Sequence, residues 1–344
     1  MEKIMVVYDG TGASELLHRQ LCQRLAAEGI EAQVRRFDIQ RDSASGLCSA
    51  SGIREFRGSI RHLAENIGDA TMLLVHLAPV SREVLEAGTC LRFVGSERSS
   101  VVNIDVEEAA RRGVRVCYAP GRNARTVAEF TVGLLLAATR SIAASNALVH
   151  AGSWTRELDR APYTGVELEG KRLGLVGFGG IGRQVAQLVG GFGMDVCYYD
   201  PFPAQGVELA RPMGLDELLS TSDFISVHAR AEEGAPPLLD AAALGRIKPG
   251  AYLINTARGQ LVDQDALIGC LLDGRLAGAA LDVYAQEPLP ADCPLLHMPQ
   301  VVLCPHLGGL SKDMAPRSAA FVIEDVLHFL RGEPLAREYR AQGL

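Results

Sequence analysis

Lysine is nearly missing from this chain: it occurs only at Lys3, Lys171, Lys248 and Lys312, and the middle two stand at turns leading into strands. Schiff-base chemistry on a carbonyl therefore has no well-placed amine. No basic block exists either. The formal charge of −7 spreads along the chain, which argues against nucleic acid as a partner. No apolar run approaches membrane length, the best being 132–138, and Lys3-Ile4-Met5-Val6-Val7 reads as a strand rather than a signal peptide. The eight cysteines show neither C-x-x-C nor Cys/His ligand spacing, so no metal is expected. Most stand in apolar runs and read as reduced, buried small hydrophobes. There is no internal repeat. The expectation is a cytoplasmic protein with no membrane partner.

What is present is a chain of 344 residues, 48% hydrophobic, long enough for two domains. Its organising stretch is 171–200. A short apolar strand at 173–176 runs into Gly177, Gly179 and Gly182 at G-x-G-x-x-G spacing. Ile181, Val185, Leu188, Val189 and Phe192 then repeat at helical intervals, and a second strand ends in Asp200. Strand, glycine turn, helix, strand and acid follow one another as a dinucleotide site requires. Gly177 permits the turn, Gly179 lets the backbone approach a pyrophosphate, and Gly182 allows close packing of helix on strand. The free N–H groups at the helix start suit an anion. Asp200 suits ribose hydroxyls and would repel a 2′-phosphate, which favours NAD over NADP.

Before this stretch, strands are expected at 3–9, 31–38, 72–78, 91–95 and 114–118, with helices between them. Leu17, Leu21 and Leu25 share one helical face, and Gly29 ends that helix. Residues 40–52 read as loop. Asp105 and Glu108 resemble a capping box, as do Thr126 and Glu129 ahead of an apolar helix. That helix is apolar nearly all round, so it needs cover on every side, from its own domain or from another subunit. Residues 119–123 read as a crossover between domains. Further strands at 224–228, 252–255, 279–283 and 301–304 bring the second sheet to six. A last helix at 313–330 is expected to return to the first domain. The alternation predicts an α/β chain with two doubly wound parallel sheets.

Three polar residues follow directly on late strands. They are Arg258 in Asn255-Thr256-Ala257-Arg258-Gly259, Glu287 in Ala285-Gln286-Glu287-Pro288, and His306 in Pro305-His306-Leu307-Gly308-Gly309. Ligands of open α/β sheets bind at the carboxyl ends of strands. A guanidinium can bind a carboxylate through paired hydrogen bonds, and an imidazole oriented by a carboxylate can exchange a proton. Each alone also suits a surface ion pair, a solvated side chain or a structural histidine. Together they match hydride exchange at a 2-hydroxy acid.

With those motifs assembled, and with Val102-Asn103-Ile104-Asp105 and Thr126-Val127-Ala128-Glu129 added, the chain resembles the D-2-hydroxyacid dehydrogenase family over 91–334. The likeness is to its phosphoglycerate dehydrogenase and glyoxylate/hydroxypyruvate reductase type. The resemblance implies an NAD-binding Rossmann domain, 119–306, inserted in a discontinuous, flavodoxin-like substrate-binding domain, 1–118 with 307–344. It implies that Arg258 binds the substrate carboxylate, His306 is the acid/base and Glu287 its partner. Gly177, Gly179, Gly180, Ile181, Gly182, Asp200, Thr256, Ala257, Asp282 and Gly308 would line the NAD site. A homodimer joined through the cofactor domain is implied too. Where the family carries a glycine-rich substrate loop, this chain has Gly95-Ser96-Glu97-Arg98-Ser99-Ser100. Arg98, Ser99 and Ser100 are therefore expected to contact substrate, Arg98 by pairing with a second anionic group. Its alternative is a pair with Glu97 or a place in solvent. After His228 the chain reads Ala229-Arg230 where the family often has a proline. The alternative function is an NAD(H)-sensing scaffold of the corepressor type, with little turnover.

Overall fold

The computed structural model describes residues 1–39, 52–154, 163–202, 208–232 and 234–340. The chain divides into two compact units, Met1–Arg122 with Ser311–Leu344, and Asn123–Leu310. The divisions fall at 122/123 and 310/311 rather than at 118/119 and 306/307. The hydrogen bonds give the reason. Arg122 belongs to the first unit because its carbonyl accepts from Arg317 Nη1 at 2.9 Å and its Nη1 donates to Ser318 Oγ at 3.2 Å. Leu307 and Gly308 belong to the second because their N–H groups donate to Asp282.

In the first unit, β1 (Glu2–Tyr8), β2 (Ala32–Asp38), β3 (Met72–Val75), β4 (Phe93–Ser96) and β5 (Arg115–Cys117) form one parallel sheet in the order β2-β1-β3-β4-β5. All four residues of β3 are buried, as a central strand covered on both faces must be. Each such side chain contributes roughly 1.5–3 kcal/mol by leaving water. One face is covered by helix Gly12–Ala27, through Leu17, Leu21 and Leu25, and by helix Met314–Arg331, through Ala319, Val322, Ile323, Val326 and Leu327. β3 stops short of the expected 78 because Leu77 N–H turns to donate to Asp9 Oδ2 at 2.6 Å. Asp105 does cap helix Val106–Arg111, accepting from Glu108 N–H at 3.0 Å, but the box does not close. The Glu108 carboxylate goes instead to Arg112, at 2.6 Å, and Arg111, at 2.9 Å. Opposite charge one turn away outcompetes the reach back to a backbone amide that already donates to Val80.

The second unit holds β6 (Arg172–Val176), β7 (Asp195–Tyr199), β8 (Arg211–Pro212), β9 (Phe224–Val227), β10 (Ala251–Asn255), β11 (Leu276–Leu281) and β12 (Val301–Leu303). They lie in the order β12-β11-β10-β9-β6-β7-β8, every pair parallel. The sheet has seven strands rather than six: the extra one, β8, is an exposed two-residue edge with no apolar pattern to announce it. The expected cap at Thr126 is also corrected. The helix spans Ala124–Thr139, so Thr126 lies buried inside its first turn while Glu129 pairs with Arg125 at 2.5 Å. Val127, Ala128, Leu134 and Leu135 of this helix are buried; Phe130, Val132 and Leu136 are only half covered. The next helix, Ile142–His150, buries nothing, leaving Ile142 53% and Val149 47% exposed, with Trp154 80% exposed just beyond. No single helix among the described residues is long and apolar enough to cross a membrane. These two pass such a test only as a pair, and they are bent by 70°.

Candidate active site

The glycine turn after β6 has the geometry its residues require. Gly177 has φ +99°, and a β-carbon there would stand 2.5 Å from Ala229 N. At Gly182 one would stand 2.4 Å from the Gly177 carbonyl oxygen, so the helix Gly180–Leu188 packs against the turn at backbone distance. Around Gly179 there is open space, which leaves the backbone free to approach a pyrophosphate. Gly179 and Gly180 are exposed, Ile181 half-buried and Gly182 buried. Asp200, the residue after β7, accepts from Phe178 N–H at 2.8 Å and Phe202 N–H at 2.9 Å. Its carboxylate is thus held against the glycine turn. These residues fit NAD. His228, after β9, is buried against the same turn. Burial pushes its pKa down to about 3, so it is a neutral ring bonded to Ser226 Oγ through Nε2 at 2.9 Å.

Arg258, Glu287 and His306 follow β10, β11 and β12, three neighbouring strands at one end of the sheet. His306 Nδ1 and Glu287 Oε2 are 2.7 Å apart, and Glu287 Oε1 accepts from Tyr284 N–H at 3.1 Å. Both side chains remain substantially exposed. The His306 backbone has φ +56°, left-handed and unusual for a residue with a side chain. It is held there by Asp282, which is buried. One carboxylate oxygen accepts from Leu307 N–H at 2.7 Å and the other from Gly308 N–H at 2.8 Å. A β-carbon at Gly308 would stand 2.8 Å from that second oxygen, so only glycine lets the turn close on it.

Arg258 is exposed, and its Nη1 donates to the carbonyl of Ala257 at 2.6 Å. Asn255 shapes its loop from below, accepting from Ala257 N–H and donating to the Arg258 carbonyl, both at 3.0 Å. Thr256 is buried, its hydroxyl 2.8 Å from that of Thr131. Tyr284 joins the three loops: its hydroxyl donates to the carbonyls of Leu281 and Cys304, at 3.1 and 2.9 Å, and burial pushes its pKa up to about 12. Sequence reading missed Asn255, Tyr284 and the bracing role of Asp282, because their hydrogen bonds run to backbone atoms that no side-chain pattern marks. In the first unit, Arg98 is neither solvated nor paired with Glu97. Its guanidinium engages the Glu55 carboxylate and donates to the Glu55 carbonyl at 3.0 Å. Ser99 is exposed and Ser100 half-buried. Among the described residues no cluster of ligating side chains suits a metal.

Residues 132–308 match the family model for the NAD-binding domain of D-isomer-specific 2-hydroxyacid dehydrogenases. A glyoxylate reductase of Thermofilum pendens is 38% identical over 285 residues, covering 81% of this chain and 84% of that one. A D-3-phosphoglycerate dehydrogenase of Mycobacterium bovis is 40% identical over 271 residues, 78% of this chain but half of the longer relative. Among solved structures, a Thermus thermophilus protein superposes with TM-score 0.72 at 30% identity, covering 99% of this chain and all of its own. A D-2-hydroxyisocaproate dehydrogenase, at 24% identity and TM-score 0.79 over 98% of this chain and all of that one, shares the fold.

One contact in this geometry leaves no slack. A β-carbon at Gly259 would lie 1.8 Å from the carbonyl oxygen of Tyr284. Gly259→Ala must force the Arg258 loop and the Glu287 loop apart, and is expected to lower stability by about 3 kcal/mol. A urea unfolding midpoint unchanged from the parent would show that the loops do not touch.

Proposed function

The chain belongs to the D-isomer-specific 2-hydroxyacid dehydrogenase family, and on that premise we propose that it reduces a 2-oxo acid to the D-2-hydroxy acid with NADH, and runs the reverse with NAD. The observation that carries the assignment is the 2.7 Å contact of His306 with Glu287, at strand ends adjoining the Arg258 loop. Bound nicotinamide supplies or takes the hydride at C2. The protein's own groups do the rest. Arg258 turns its guanidinium from the neighbouring Ala257 carbonyl to the substrate carboxylate and the reacting oxygen. His306, protonated, gives its Nε2 proton to that oxygen as the carbonyl is reduced and takes it back in oxidation. Glu287 accepts from Nδ1–H, which fixes the ring's orientation. Gly177, Gly179, Gly180, Ile181, Gly182 and Asp200 hold the cofactor, with Thr256, Ala257, Asp282 and Gly308 shaping the far wall.

The substrate is a glyoxylate-sized or a longer, anionic or hydroxylated 2-oxo acid. Arg98, Ser99 and Ser100 favour the longer class, Arg98 exchanging its Glu55 contact for an anionic substrate group. The protein is a homodimer, with the uncovered apolar helix Ile142–His150 and Trp154 in its interface. An exposed apolar surface of this kind marks an interaction site.

Four outcomes are expected. Assayed by NADH oxidation with glyoxylate, hydroxypyruvate, phosphohydroxypyruvate and a four-carbon sugar-derived 2-oxo acid, the protein turns over at least one. His306→Gln then lowers kcat by about 10³-fold while NADH binding, read by fluorescence, stays within about twofold. NADH binding without turnover on any of these would favour the sensing scaffold. Arg98→Ala raises KM for the anionic substrates about tenfold and leaves kcat near the parent value; an unchanged KM removes Arg98 from the site. Ile142→Asp combined with Val149→Asp shifts the light-scattering mass from dimer to monomer, and a parent protein already monomeric at micromolar concentration would end the dimer assignment.

A further inference from the structure

Glu97, the first residue past β4, is fully buried, and neither oxygen of its carboxyl group has a hydrogen-bond donor among the described residues. Two charged groups face it. Arg122, on the crossover after β5, has a buried Nε likewise without an acceptor, its Nη1 being engaged with Ser318. Asp9, after β1, is ionised. Burial would raise its pKa, but the nearby His76 and hydrogen bonds from Thr11 and Leu77 N–H overcome that and hold it down at about 2. His76, after β3, stands 3.6 Å behind Asp9, and Arg98, the next residue on the chain, faces Arg122. For Glu97 the balance reverses. Burial outweighs the attraction of Arg122, Asp9 adds repulsion, and the carboxyl is pushed up to about 8. It is neutral at pH 7. An unmatched acid opposite an unmatched guanidinium in a core calls for an account.

The backbone around it supplies one. Glu97 N–H donates to the Val75 carbonyl at 2.9 Å, and the Arg98 carbonyl accepts from Ala119 N–H at 2.7 Å. Glu97 is therefore anchored to the end of β3, and the loop it leads into is tied to the start of the 119–122 crossover by one bond. We propose that Glu97 is a positioning residue for the 98–100 loop: uncharged, it leaves Arg122 to the helix Met314–Arg331, and charged, it draws Arg122 to itself and shifts the loop. Its effect on substrate rests on the dehydrogenase reading above; its effect on the loop does not.

Glu97→Gln, which keeps the shape of the neutral acid and cannot ionise, separates the two. A carboxyl whose pKa is raised in the folded state contributes stability that is complete below its ordinary 4.5 and disappears as pH climbs through about 8. The variant's melting temperature should therefore gain on the parent's by about 5 °C between pH 5 and 8. Over pH 7 to 9, hydrogen exchange in a peptide spanning 93–104 should quicken in the parent relative to the variant. The parent-to-variant ratio of KM for the turned-over 2-oxo acid should rise about fivefold while the kcat ratio stays flat. A constant melting difference, a constant exchange ratio, or a variant unfolded at pH 7 would overturn the proposal. A parent inactive on every 2-oxo acid would instead defeat the dehydrogenase reading, with melting and exchange still deciding the role of Glu97.

Discussion

Asp282 sets where the imidazole of His306 can be. The chain leaves β11, and this one buried carboxylate commits both its oxygens to consecutive backbone N–H groups of the turn that follows β12. The left-handed backbone of His306 costs about 1–3 kcal/mol, while hydrogen bonds to a charged acceptor contribute about 1.5–3 kcal/mol each. Two such bonds outweigh one strained residue, so the turn holds its shape and presents the ring to Glu287. Burying an ion costs several kcal/mol, and the two N–H donors are what make that tolerable here.

Close approach of backbone to backbone continues along the sheet end. Gly259 lies against the Tyr284 carbonyl with no room for a methyl group, and the Tyr284 hydroxyl reaches the last carbonyls of β11 and the residue after β12. Arginine, glutamate and histidine loops are thereby referenced to one tyrosine and one aspartate, neither of which needs to touch substrate. Positional accuracy of this kind matters because a misplacement of about 1 Å in a reacting group can cost 10²-fold in rate. In the first unit the corresponding strand ends carry a different set, with Asp9, His76, Glu97 and Arg122 turned inward and Arg98 braced by Glu55.

Much of this was legible in the residues. Central strands buried on both faces read as continuous apolar runs, and the glycine turn announces itself because each glycine meets a separate steric demand. Arg258, Glu287 and His306 stood out for following strands directly. Other features were not legible, for physical reasons that differ. β8 pairs by backbone alone, with two exposed residues. The helix start at Ala124 was hidden by a Thr-x-x-Glu spacing whose glutamate is taken by an arginine four residues earlier. Glu97 drew notice only as an alternative partner for Arg98, because nothing in a sequence shows that a carboxyl group is sealed away from donors. Arg98 was weighed against Glu97 or solvent, whereas its partner, Glu55, is remote in sequence and contributes a carbonyl as well as a charge.

The proposed reaction turns on His306 and Glu287 acting as one proton-handling unit. The most direct measurement is a double-mutant cycle on single-turnover NADH oxidation, with His306→Gln, Glu287→Gln and both together. If the pair is one unit, the double variant is no slower than His306→Gln alone, because removing the imidazole leaves the carboxylate nothing to orient. Rate losses that simply multiply would contradict the account, since they would mean that the 2.7 Å contact carries no share of the chemistry.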